Sequence, residues 1–303
     1  MDRNNPFFRQ VELLISVLPF VAKQACFALK GGTAINLFVR NLPRLSIDID
    51  LAYIEIQDRY TSLKLIDNAL REMAKDVETK LGMKARPVSQ SGTDKIVKLN
   101  IAQGTTTVKI EVSPVMRGSV FDSELNAVSE KVQDLFGFVE MQLLNFDDLY
   151  AGKLCAALDR QHPRDLFDVK LLLENEGISK QLIKAFLVYL ICQGRPIVET
   201  LDPNLIELSE YFKAEFEGMV FEDVALADLE GARSQLIEKI KMSLSPDDKQ
   251  FLMSVKRGDP DWDLLELPHV QKLPAVKWKL HNISQMGKKK HGQAIEKLEK
   301  ILS

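Results

Sequence analysis

Two aspartates, Asp48 and Asp50, stand one residue apart in Ser46-Ile-Asp-Ile-Asp-Leu51 and alternate with Ile47, Ile49 and Leu51. In a strand, side chains alternate between faces, so both carboxylates fall on one face and the three aliphatics on the other. Two neighbouring carboxylates repel unless a cation lies between them. Hard oxygen donors of this kind suit Mg²⁺ or Mn²⁺, ions that hold nucleotide phosphates and stabilise an in-line displacement. Upstream, the run Leu29-Lys-Gly-Gly-Thr-Ala-Ile-Asn36 breaks a short apolar stretch with Gly31 and Gly32, where a chain can turn sharply and bring its amides close to a ligand. Thr33 is predicted to cap a helix over 34–39, whose free amides would point at the same spot. The chemistry suggested is phosphate plus metal.

The elements that must position these groups follow from periodicity. Asn5 and Pro6 can start a helix through Phe7, Val11, Leu14, Ile15 and Leu18, with Pro19 ending or kinking it. A second helix is predicted over 58–81, closed by Gly82. Two alternating stretches, 95–101 and 106–112, flank Gln103-Gly104 and read as a β-hairpin. On its second strand Lys109 and Glu111 share a face, making Glu111 the candidate third carboxylate, with Glu140 as fallback. The plainer reading of all three acids is the solvated face of an amphipathic strand. Ser46, two residues before Asp48, could hydrogen-bond phosphates, accept a nucleotide itself, or merely lead into the strand. Arg40 and Arg44 could neutralise phosphate or solubilise the intervening loop.

From Phe146 the period becomes helical. Asp147 and Asp148 suit a helix start, and Lys153 and Arg160 lie two turns apart on one face. Pro163 is predicted to open a helix carrying Arg164, Asp165 and Asp168, in which Arg164 and Asp168 form an i,i+4 pair. Further helices are predicted over 180–193 and 221–242, and after the cap Ser245-Pro246. Trp262 and Trp278 read as packing anchors. Lys272, Lys277, Lys279, Lys288, Lys289, Lys290, His291, Lys297 and Lys300 have only Glu296 and Glu299 to offset them, so this end could follow an RNA backbone or form a solvated helix face.

Composition narrows the class. A chain of 303 residues exceeds one ordinary core and predicts a catalytic unit over 1–175 and a helical unit over 176–303. Net charge is -3, so a nucleic-acid contact must use a local patch. Cys26, Cys155 and Cys192 are far apart in sequence, which argues against disulfide scaffolds and zinc sites. With no apolar run of membrane-spanning length and no secretory leader pattern, the chain reads as cytoplasmic, with no membrane partner.

Gly31-Gly32-Thr33 followed by Asp48-Ile-Asp50 resembles the signature of the nucleotidyltransferase superfamily of DNA polymerase beta and the tRNA CCA-adding enzymes. The embedding Leu29–Ala34 and Arg44–Leu51 stretches are more specifically similar to the AbiEii/AbiGii toxin family of toxin-antitoxin and abortive-infection systems. Lys153, Arg160 and Arg164-Asp165-x-x-Asp168 resemble that family's downstream motifs, and residues 258–265 and 273–282 its C-terminal part. The resemblance implies an α+β fold with a small mixed sheet and a mostly helical C-terminal domain. It implies transfer of a nucleoside monophosphate from an NTP to a hydroxyl, tRNA being an expected acceptor, and a cognate antitoxin. Asp48, Asp50 and Glu111 would hold Mg²⁺ or Mn²⁺. Gly31, Gly32, Thr33, Ser46 and Arg160 would hold the nucleotide, Lys153 would bind the triphosphate, and Asp165 would orient it or hold a basic partner. A nucleotide-binding toxin without transfer and an antibiotic-type small-molecule transferase share the first motif.

Overall fold

The computed structural model describes residues 5–303. Apolar positions at helical spacing form α1 (Pro6–Ala22), capped by the Asn5 side chain, which accepts from the Phe7 amide at 2.9 Å. Pro19 lies inside α1 without ending it. Its missing N–H costs one ladder bond, the one to the Ile15 carbonyl, and the helix carries on for one further turn. Then come β1 (Phe27–Lys30), α2 (Gly31–Ala34) running into a π turn over Ile35–Val39, β2 (Asp48–Tyr53) and α3 (Arg59–Leu81). The chain continues with β3 (Lys84–Ser89), the hairpin β4 (Ile96–Gln103) and β5 (Thr106–Arg117), β6 (Glu124–Ala127), α4 (Glu130–Phe136) and β7 (Glu140–Leu143).

Among the described residues these strands form one seven-stranded sheet in the order β3-β4-β5-β2-β1-β7-β6. β2 runs parallel to β5, and β1 parallel to β7, while β1 and β2 are antiparallel. The α+β class is therefore as expected from the sequence, with a larger sheet. The alternation in β2 is realised: Ile49 and Leu51 are fully buried, and Asp48 and Asp50 face the half-exposed side. On the apolar side, α1 packs on β5 and β7, and α3 on β3 and β4. Burying each Leu or Ile there stabilises by roughly 1.5–3 kcal/mol, and this is what fixes the register that lines up the polar face.

The chain divides into two compact units, one running to Leu149 and including Phe216–Asp223, the other comprising Tyr150–Glu215 and Val224–Ser303. The division falls inside α5 (Phe146–Arg160). Residue 175, expected to end a catalytic domain, lies within the second unit at the end of α6 (Pro163–Asn175). The second unit continues with α7 (Lys180–Cys192), α8 (Ile197–Leu201), α9 (Ser209–Glu215), α10 (Leu226–Ser243), α11 (Pro246–Arg257) and α12 (Trp262–Leu265). It closes with a 3₁₀ turn (Pro268–Lys272), α13 (Pro274–Ser284) and α14 (Lys288–Leu302). Ser245 caps α11 in a reciprocal box with Asp248, each side chain accepting from the other's amide. Trp262 packs on Phe251 with ring centroids 5.6 Å apart, as an anchor should. Trp278 departs from that expectation, being 57% exposed. No helix among the described residues is long and apolar enough to cross a membrane.

Candidate active site

The site in the first unit begins where β1 ends. Lys30 pairs with Asp50 across the β1–β2 ladder, and Asp50 pairs on its other side with Glu111 of β5. Gly31 then turns with φ +72°, in the left-handed region that favours glycine, and a Cβ there would come 2.9 Å from Asp50 Oδ2. Gly32 is required for a different reason, since a Cβ would meet Arg44 Nη2 at 2.7 Å and Ser46 Oγ at 3.0 Å. The helix starts at Gly31, with Lys30 as its cap residue, so Thr33 is not the predicted cap. Instead the Thr33 hydroxyl donates to the Asp48 carbonyl and lies 3.0 Å from Ser46 Oγ. Asn36 Nδ2 donates back to the Gly32 carbonyl at 2.9 Å. Thr33 and Ser46 are both buried, so these hydroxyls tie the glycine turn to the aspartate strand.

Arg44 is the largest departure from the expected picture of a solubilising loop residue. It is 2% exposed, with Nη1 donating to the Leu45 carbonyl at 2.9 Å. Its burial depends on a segment far along the chain. Arg44 bridges to Val220, and the Leu45 amide donates to the Met219 carbonyl at 2.7 Å. Nothing local in the sequence signals that pairing.

Glu111 stands beside Asp50 in register, on the strand expected of it. Its carboxylate, however, is engaged by two lysines, with Lys109 Nζ at 3.2 Å and Lys98 Nζ at 3.4 Å. Lys109 also reaches toward Asp48 Oδ1, at 3.9 Å. Burial favours the neutral form of each, but the opposite charges win. Glu111 is held below the usual carboxylate range, chiefly by Lys109, and Lys109 is raised by Asp48, Glu111 and Asp50. Among the described residues no three acids, histidines or cysteines are gathered as a ready metal-binding group. The donor set that fits a hard divalent cation is the Asp48–Asp50 pair, beside the backbone of Gly31. Glu140 is exposed and pairs with Ala127 on the far side of β7, away from β2.

The remaining candidates form a group within the second unit. Lys153 Nζ lies 2.8 Å from Asp165 Oδ1 and 2.9 Å from Asp168 Oδ2, and all three side chains are at most 5% exposed. Arg160 forks onto Asp165, with Nε on Oδ2 and Nη2 on Oδ1, while its own side chain is 64% exposed. Burial would raise the Asp165 carboxyl, but Lys153 and then Arg160 hold it far below the usual range. The predicted Arg164–Asp168 pair does not form: Arg164 joins His162 on Glu215, and Asp168 goes to Lys153. The ammonium of Lys153 is thus neutralised within the fold, and the exposed cation of the group is Arg160. The sequence carried one clue, that Lys153 and Arg160 share a helix face, and both do meet Asp165.

A glycine turn opening a helix, with two carboxylates on the following strand of a mixed sheet, is the arrangement that the sequence leads one to expect of a nucleotidyltransferase. The fold agrees. It is similar to that of MenT4, a nucleotidyltransferase toxin from Mycobacterium tuberculosis, with a TM-score of 0.60 over 90% of this chain and 91% of that one, at 16% sequence identity. No curated protein matches the chain in sequence. The chain belongs to the AbiEii nucleotidyl transferase toxin family of type IV toxin-antitoxin systems, whose profile matches residues 12–282.

Proposed function

We propose that the protein transfers a nucleoside monophosphate from an NTP to a hydroxyl of an RNA acceptor, with tRNA the foremost candidate, releasing pyrophosphate. The observation that carries this reading is the approach of the Gly31 backbone to Asp50, which brings an amide-rich turn against two carboxylates on one strand face. Asp48 and Asp50 would hold Mg²⁺ or Mn²⁺, which when bound neutralises phosphate charge and the charge developing on the leaving pyrophosphate. Gly31 and Gly32 approach the triphosphate through their backbone, while Thr33 and Ser46 fix that backbone to β2. Glu111, ionised and steered by Lys98 and Lys109, accepts the proton of the attacking hydroxyl. Within the second unit Lys153 holds Asp165 ionised, and Asp165 orients Arg160, an exposed cation with phosphate-binding chemistry. There is little covalent work for the protein to do; positioning and charge stabilisation supply the rate.

Membership of a toxin-antitoxin family implies an antitoxin partner. With an NTP donor and an RNA acceptor, the site of action is the cytoplasm, where the product is an RNA that no longer serves growth. Induced expression in a bacterial host tests this reading. Growth arrest is expected, with RNA extracted from arrested cells carrying an added nucleotide, and Asp48→Asn should abolish both. Arrest by Asp48→Asn as strong as by the wild type would favour a toxin that acts by binding nucleotide alone. Labelling of an aminoglycoside in place of RNA would favour a small-molecule transferase.

A further inference from the structure

The chain is net acidic at -3, yet from Leu267 to Ile295 it holds no aspartate or glutamate while carrying Lys272, Lys277, Lys279, Lys288, Lys289 and Lys290. Three of its four histidines, His269, His281 and His291, lie in the same stretch. The fold adds further cations. His291 Nε2 sits 2.6 Å from the Lys256 carbonyl, and a Cβ on Gly258 would touch Ile283 at 3.5 Å. The end of α11, with Lys256 and Arg257, therefore meets the end of α13 and the start of α14. Burial, and then the charge of Lys256, pull the Lys279 ammonium below its ordinary value, and burial alone does the same to Lys256. Lys279 Nζ donates to the Gln193 carbonyl at 2.6 Å, so the lysines of this stretch left to meet a ligand are chiefly Lys288, Lys289 and Lys290 of α14.

Two features of this basic stretch run against local preference. Lys288, Lys289 and Lys290 fill the first turn of α14 with no acid among them, where positive charge opposes the helix dipole. Trp278 is 57% exposed and stacks on His281, ring centroids 5.7 Å apart at 27°. Local rules broken together in this way mark function. The combination of an open aromatic stack with uncompensated lysines matches single-stranded nucleic acid, whose bases stack while its phosphates are neutralised. A membrane surface is a poorer match, because Trp278 is the sole large apolar side chain exposed on α13 and α14 among the described residues.

We infer that the face formed by Trp278 and His281 with the lysines of α11, α13 and α14 is a docking surface for a single-stranded segment of the acceptor RNA. This rests on the reading that the acceptor is RNA. The experiment is anisotropy of a labelled single-stranded RNA and its matched duplex, titrated with the full chain across a salt series. Trp278→Ala should weaken single-strand binding about tenfold, the size of one lost base stack, and leave duplex binding unchanged. Trp278→Phe, which keeps a ring, should retain most of the affinity and guards against a folding artefact. Replacing Lys288, Lys289 and Lys290 with alanine should flatten the slope of log K against log salt by about 2. No RNA binding by the wild type, or single-strand affinity unmoved by both Trp278→Ala and the lysine variant, would overturn the inference. So would protection of Trp278 by the co-expressed antitoxin alone. If these variants behave as expected while no nucleotide is transferred, the proposed reaction fails and the docking surface stands.

Discussion

At the residue scale the two groups of charges do different work. Lys153, Asp165 and Asp168 form a buried trio, and removing one member of such a pairing typically costs about 3–5 kcal/mol because it leaves a buried charge unmatched. Lys153→Met should therefore destabilise the protein by that amount in chemical denaturation. A loss under about 1 kcal/mol would mean that the trio carries no such load. The Asp165 carboxyl is depressed in the fold, so its stabilisation is complete above the ordinary aspartate range, from about pH 4 upward, and is lost as pH falls through the lower folded-state value. The stability advantage of the wild type over Asp165→Asn should accordingly hold from neutrality to about pH 4 and shrink below it. An advantage that stays constant well below pH 4 would contradict an ionised Asp165. Lys109 is the opposite case, a half-exposed ammonium leaning between Asp48 and Glu111, where an added cation must compete with it. Lys109→Met should tighten Mn²⁺ binding, read by the resonance of free Mn²⁺, by up to about fivefold, the worth of a half-exposed ion pair. Weaker binding in that variant would show that Lys109 supports the carboxylates instead.

At the scale of elements, the glycine turn sets the geometry. Gly31→Ala meets both a left-handed backbone and the Asp50 carboxylate at 2.9 Å, and should cost about 1–3 kcal/mol of stability while displacing Asp50. Unchanged stability would contradict the positive φ. Much of this element was legible in the sequence, because period 2 is strict: Asp48 and Asp50 had to share a face, as did Lys109 and Glu111. What periodicity does not encode is which neighbour each side chain chooses. Glu111 lies beside Asp50 as expected, yet two lysines hold its carboxylate. Thr33 has the chemistry of a cap, but a buried hydroxyl near a strand carbonyl bonds that carbonyl instead. Asp168 turned from a local Arg164 partner to Lys153, since a buried ammonium gains more from a second carboxylate than an exposed i,i+4 pair gains.

At the scale of the molecule, the unit division and the return of Phe216–Asp223 to the first unit were beyond the sequence, because both arise from pairings distant in the chain. Arg44 is buried by that returning segment, whereas in isolation it reads as a loop cation. Charge is arranged unevenly, with the net balance of -3 hiding an acid-free basic stretch from Leu267 to Ile295. The basic character of this end could be read from the sequence, but the exposure of Trp278 could not, since tryptophan is more often an anchor. A net-acidic chain can meet a polyanion only through such a local patch. The most direct test incubates the purified protein with each α-phosphate-labelled NTP, Mg²⁺ or Mn²⁺ and total cellular RNA, beside an Asp48→Ala control. Label should enter an RNA band with one NTP and disappear in the control. Label on the protein alone, or no label with any NTP and metal, would contradict transfer to RNA.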